Sequence, residues 1–179
     1  MKSKILGLLA VGLLAGPMAA NATPLAYDEA TDGDLDFGDS LALGFGANTV
    51  SGTVGCTFEP VCDFDKFDAL LPDFSVLDSV ALSLSDANGS GLFAFEFEIE
   101  RPSGGRLIDD ALSGAGDYFW AIGASFSSLQ FIGLNSFPNG MRNNYTITFN
   151  ISRVPEPGTL ALLGLGLAGL GLSRRRKAN

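Results

Sequence analysis

Between residues 40 and 152 the chain reads as an all-β domain, an antiparallel β-sandwich or jelly roll. Hydrophobic and polar residues alternate along several short stretches. Turn clusters rich in Gly, Asn, Ser and Pro separate those stretches. No segment outside the two ends sustains a 3.6-residue period. At this spacing about seven to nine short strands are expected.

The clearest strand alternates Phe93, Phe95, Phe97 and Ile99 with Ala94, Glu96, Glu98 and Glu100, which predicts one face in the core and a carboxylate row in water. A second alternates Tyr145, Ile147, Phe149 and Ile151 with Thr146, Thr148, Asn150 and Ser152. A third sets Val80, Leu82 and Leu84 against Ser79, Ser83 and Ser85. Weaker stretches cover 40–45, 49–54, 64–70, 118–124 and 129–133. The turns between them include Asn88-Gly89-Ser90-Gly91, Ser113-Gly114-Ala115-Gly116 and Pro138-Asn139-Gly140.

Composition excludes several function classes. Residues 23–153 hold 19 acidic and 5 basic residues, a balance of −14, while most of the basic residues sit at the two ends. Such a domain repels phosphate backbones, so no nucleic-acid partner is expected. Neutral sugars or cations are compatible, and acidity alone keeps an exported domain soluble. The chain has no His, which removes Ser-His-Asp triads, Cys-His dyads and His-ligated metals. Its two Cys, Cys56 and Cys62, form an even, closely spaced pair. In an exported protein they are expected to be a disulfide, worth about 2 kcal/mol, with two free thiols as the alternative.

Both ends read as addresses. Residues 1–22 have the order of a signal peptide: Lys2 and Lys4, an apolar stretch from Ile5 to Ala15, then Ala20-Asn21-Ala22 as the cleavage site. That places the mature start at Thr23 and makes signal peptidase a partner during export. Residues 154–179 have three parts: Val154-Pro155-Glu156-Pro157-Gly158-Thr159, an apolar run over 159–172, and Arg174-Arg175-Arg176-Lys177. The prolines bar helix and ladder pairing, so the first part stays extended and open to a peptidase. The apolar run enters lipid as a short helix, and the basic cluster stops translocation. Fourteen residues make about 21 Å of helix against roughly 30 Å of hydrocarbon, which suits a transient handle better than a permanent anchor. Gly164, Gly166 and Gly169 spell G-x-G-x-x-G, but without the strand before it that dinucleotide binding needs.

That tail resembles the PEP-CTERM sorting signal. The resemblance implies a membrane peptidase-like partner, the exosortase, a setting of extracellular polysaccharide, and cutting of the tail near the motif. A further resemblance covers roughly residues 27–100. The runs Tyr27-Asp28-Glu29, Asp32-Gly33-Asp34-Leu35, Asn48 to Gly55 and Asp63-Phe64-Asp65-Lys66-Phe67 look like bacterial pre-peptidase C-terminal domains, which are secreted β-sandwich modules. The stretch holding Cys56 and Cys62 departs from that family's short turn. Some such modules bind calcium between the N-terminal linker and an Asp-rich loop, and the resemblance makes Asp32, Asp34, Asp63 and Asp65 the ligands to test. Calcium takes six to eight oxygens and favours such loops, while the alternative is solvated turn carboxylates.

Trp120, the one Trp, is expected on the same face as Tyr118, either packed in the core or stacking on a sugar. Catalysis finds little support. Paired carboxylates can hydrolyse glycosides, but chance pairs are unavoidable in so acidic a domain, and no Ser sits in G-x-S-x-G. The N-x-S/T sequons at Asn88, Asn144 and Asn150 read as turn and strand residues. The expectation is therefore three segments: a signal peptide over 1–22, a sandwich ectodomain over 23–153, and a sorting signal over 154–179. The expected function is a non-enzymatic exported or surface protein near extracellular polysaccharide. A calcium-dependent adhesion or carbohydrate-binding module is the alternative, and a secreted hydrolase is a second.

Overall fold

The computed structural model describes residues 23–58, 61–87, 95–101, 103–136, 141–154 and 164–167. The signal peptide with Ala20 and Ala22, the motif residues Pro155, Glu156, Pro157 and Gly158, and the cluster Arg174 to Lys177 lie outside the described residues.

Two sheets carry the fold. One orders β1 (Ala26–Asp28), β3 (Gly46–Phe58), β11 (Met141–Arg153), β6 (Ser75–Asp86) and β9 (Gly116–Ala124), with β4 (Val61–Asp63) on β3. The other orders β2 (Asp39–Ala42), β5 (Asp65–Leu70), β10 (Ser128–Ser136), β7 (Phe95–Glu100) and β8 (Arg106–Leu112). A one-turn helix, α1 (Glu29–Asp32), follows β1. Every pairing is antiparallel except β1 on β3 and β2 on β5. Parallel pairing needs a crossing connection, and here the N-terminal segment supplies one by edging first one sheet and then the other.

The alternating residues do line the core. Val80, Leu82 and Leu84, Phe95, Phe97 and Ile99, and Tyr145, Ile147, Phe149 and Ile151 are all buried between the sheets. On β10 the inward residues are Leu129, Ile132 and Leu134, because a bulge between Leu129 and Ile132 inserts one extra residue and resets the pleat. Three strands fell outside the alternation. β1 and β4 are three residues each, too short to show a period. β8 is an edge strand that buries only Ile108 and Leu112.

The carboxylate row on β7 needs one correction: Glu98 is 7% exposed. The strand that covers it, β8, brings the Arg106 guanidinium to 2.7 Å from Glu98, and the same guanidinium lies 2.6 Å from Asp109. Trp120 packs toward the core, its ring 5.2 Å from Phe97 and 6.4 Å from Tyr118. Its indole N–H donates to Asp110 at 2.6 Å, tying the edge of one sheet to the edge of the other. Phe119 takes the opposite, exposed face. The ladder sets Cys56 directly opposite Cys62 across β3 and β4. Their side chains lie outside the described residues, and a bond between the sulfurs is not shown.

Candidate functional site

The N-terminal segment builds the site. The Asp28 side chain caps α1 by accepting from the Ala30 amide at 3.1 Å, and Asp32 accepts from the Asp28 amide at 2.9 Å. Gly33 closes the turn at φ 114°, a conformation a side chain would resist, and Tyr27 holds it by donating its hydroxyl to the Gly33 carbonyl at 2.8 Å. β1 stops at Asp28, opposite Ser51. Two residues further along β3, the Thr53 amide therefore donates to Glu29 Oε2 at 3.1 Å instead. Tyr145, rising from β11, donates its hydroxyl to Glu29 Oε1 at 3.0 Å.

Asp65 opens β5 and points inward on the face of Phe67 and Ala69. It is fully buried, and neither of its carboxyl oxygens has a hydrogen-bond partner. Burial first, and the Glu29 carboxylate next, push it up to about 9. Burial also raises Glu29. Burial, then Asp65 and Glu29, push the Tyr145 phenol far up, so it stays a proton donor. Carboxylate oxygens of Glu29, Asp34 and Asp65 lie within 4.8 Å of one another. Glu29 and Asp34 border a cleft of ≈ 600 Å³ whose lining includes Ser51, Gly52, Thr53 and Asn144, with Asp65 buried behind them. Gly52 is required there, because a Cβ would collide with the Glu29 carboxylate and stand 2.8 Å from the Tyr145 hydroxyl.

Of the four carboxylates named from sequence, Asp34 and Asp65 come together. Asp32 is turned to the Asp28 amide. Asp63 lines the same cleft but pairs with the Arg142 guanidinium at 3.3 Å. Glu29 is the member that sequence reasoning did not single out. Three carboxyls this close, one of them dry, cannot all carry charge unless a cation joins them. The donors are hard oxygens, which suit calcium or magnesium rather than a soft metal. A second trio, Glu96, Glu98 and Asp109, is also close, but Arg106 already supplies its positive charge.

The other feature with a function is the chain's exit. The Val154 amide donates to the Phe74 carbonyl at 2.8 Å as the chain leaves the end of β11. Residues 153–177 match the PEP-CTERM protein-sorting motif. The PEP-CTERM segment therefore begins where the last strand of the sandwich ends. The motif implies exosortase sorting of an exported, cell-surface protein. Most of the transmembrane helix expected over 159–172 lies outside the described residues, and among the described residues no helix is long and apolar enough to cross a membrane. Within that stretch residues 164–167 form one helical turn, with Leu165 and Leu167 exposed.

No curated protein matches the chain in sequence. Several solved structures are loosely similar, among them the following two. Aeromonas hydrophila PliG, a periplasmic lysozyme inhibitor of g-type lysozyme, has a TM-score of 0.37 at 10% identity over 71% of this chain and 99% of its own. The pre-peptidase C-terminal domain of collagenase from Bacillus anthracis has a TM-score of 0.35 at 9% identity over 74% of this chain and 99% of its own.

Proposed function

We propose that this chain is a non-enzymatic exported protein, led out by residues 1–22, sorted by its PEP-CTERM segment and held at the surface in contact with extracellular polysaccharide. The reading rests on the sorting motif starting where the folded domain stops, at Arg153. A peptidase can then cut the tail without unfolding any strand. The balance of −14 over 23–153 favours neutral sugars and cations over phosphate polymers as neighbours. Intact mass of the surface-extracted protein is expected to start at Thr23, end near Pro157 and carry Cys56 and Cys62 as a cystine. A mass that still includes Arg174 to Lys177 in most molecules overturns the sorting role. A dithiol mass overturns only the disulfide.

A second reading, a calcium-dependent adhesion module, is favoured by Asp65, buried without a partner beside Glu29 and Asp34. Glu29, Asp34 and Asp65 would hold the ion, which supplies charge neutralisation and rigidity to the cleft. Calcium at about 100 times its Kd is expected to add about 3 kcal/mol to stability and raise the melting midpoint over a chelated sample. Gly52→Ala, which displaces Glu29, is expected to lose most of that shift. An unshifted midpoint in the native chain ends this reading.

A further inference from the structure

The two ends of the sandwich differ in character. Tyr145 and the acidic cleft lie in the first half of β11, and Arg153 closes the strand roughly 26 Å further on. At that far end, where the tail departs, apolar side chains stand among Asp73 and the serines Ser75, Ser125 and Ser127. Pro72, Phe74, Phe126 and Val154 border one groove of ≈ 360 Å³. Phe126 also borders a second groove, of ≈ 420 Å³, with Leu107, Ile122 and Arg101.

Phe74 stands out within this surface. It is 79% exposed, and its φ of 56° is the left-handed region that a bulky side chain seldom adopts. Gly or Asn fits that turn better, so folding alone does not call for an exposed aromatic there. Its carbonyl is the one that anchors the Val154 amide.

Chain length sets what this surface can face. Five residues, 155–159, separate Val154 from the start of the leucine-rich run at Leu160. Fully extended, they span roughly 20 Å at most. With the run in lipid, this end of the domain is held close to the headgroups while the acidic cleft points away. Arg153, stacked on Phe45 at 4.6 Å, and Arg101 lie at this same end, and the exposed carboxylate of Asp73 lies beside them. An aromatic side chain at the interface flanked by arginines is a membrane-surface pattern.

We infer that the tail-bearing end of the sandwich rests on the bilayer during sorting, with Phe74 as the side chain that enters the interface. The inference rests on the sorting reading above. It makes the domain a second membrane contact that supports a tail too short to anchor well alone.

The test uses the signal-processed precursor with its tail intact, in vesicles of phosphatidylethanolamine and phosphatidylglycerol. Two variants, Phe74→Trp and Phe119→Trp, are compared with the native chain, whose Trp120 supplies a common background. Phe119 is exposed on the outer face of β9. Lipids brominated near the headgroup are expected to quench the residue-74 probe and spare the residue-119 probe. Phe74→Asn, which suits the turn, is expected to keep the fold and to slow tail cleavage in cells by roughly tenfold, the effect of losing one buried aromatic contact. Vesicle flotation with an unquenched residue-74 probe overturns the inference and leaves the sorting reading standing. Absence of flotation overturns the sorting reading as well. Slowed cleavage by Phe74→Asn without quenching means that the patch meets the peptidase, which also overturns the lipid contact.

Discussion

Asn48→Ala is expected to cost about 4 kcal/mol or more, because the residue serves several buried backbone groups at once. Asn48 is fully buried. Its carbonyl oxygen accepts from the Leu25 amide at 2.8 Å and from the Gly44 amide at 2.6 Å. Its amide nitrogen donates to the carbonyls of Gly44 at 2.9 Å, Gly46 at 3.2 Å and Phe149 at 3.3 Å. Alanine removes every one of these partners and brings no water in their place. Each buried group left unpaired costs about 1–3 kcal/mol. Leu25 leads into β1, which in turn carries α1 and Glu29, so the damage also reaches the acidic cleft. Urea denaturation reads the effect. A loss below about 1 kcal/mol, the scale of an ordinary surface change, contradicts this account.

Stability in chelating buffer is expected to fall as pH rises, and Asp65 is the cause. Its ordinary value is 3.8, and the folded state raises it to about 9. Between those limits the folded chain holds a proton that the unfolded chain has released. The stabilising contribution is complete below the lower value and is lost as pH climbs through the upper one, at about 1.4 kcal/mol per pH unit for one whole proton. Asp65→Asn has nothing to ionise, so its slope flattens and it is more stable than the native chain at about pH 8, by a few kcal/mol. Glu29, raised in the same direction, leaves a smaller residual slope. Denaturation midpoints from about pH 5 to about pH 8 decide it, and parallel profiles for the two proteins refute the role of Asp65.

Features encoded by neighbouring residues were legible in the chain. The two-residue period of β6, β7 and β11 placed their inward faces, since alternation along a strand is a local property of the pleat. Asp65 carried a readable signal too, standing two residues before Phe67 and so sharing its inward face. Sequence placed Asp34 and Asp65 in one candidate set, but chose Asp32 and Asp63 where the fold brings in Glu29. That choice depends on a one-turn helix too short to show a period. Nothing beside Asn48 in the sequence marks its role, because its partners come from three separate parts of the chain.

The sequence alone determined the all-β character of the domain and the sorting tail that follows it. Those properties follow from composition and spacing within a few residues. Tertiary structure alone decided that Glu98 is buried beneath Arg106, that Glu29 joins Asp65, and that an exposed Phe74 stands where the tail leaves. Each of these depends on which segments the fold sets side by side. Burial and pairing there are set by which edges the sheets place together, not by the residues on either side.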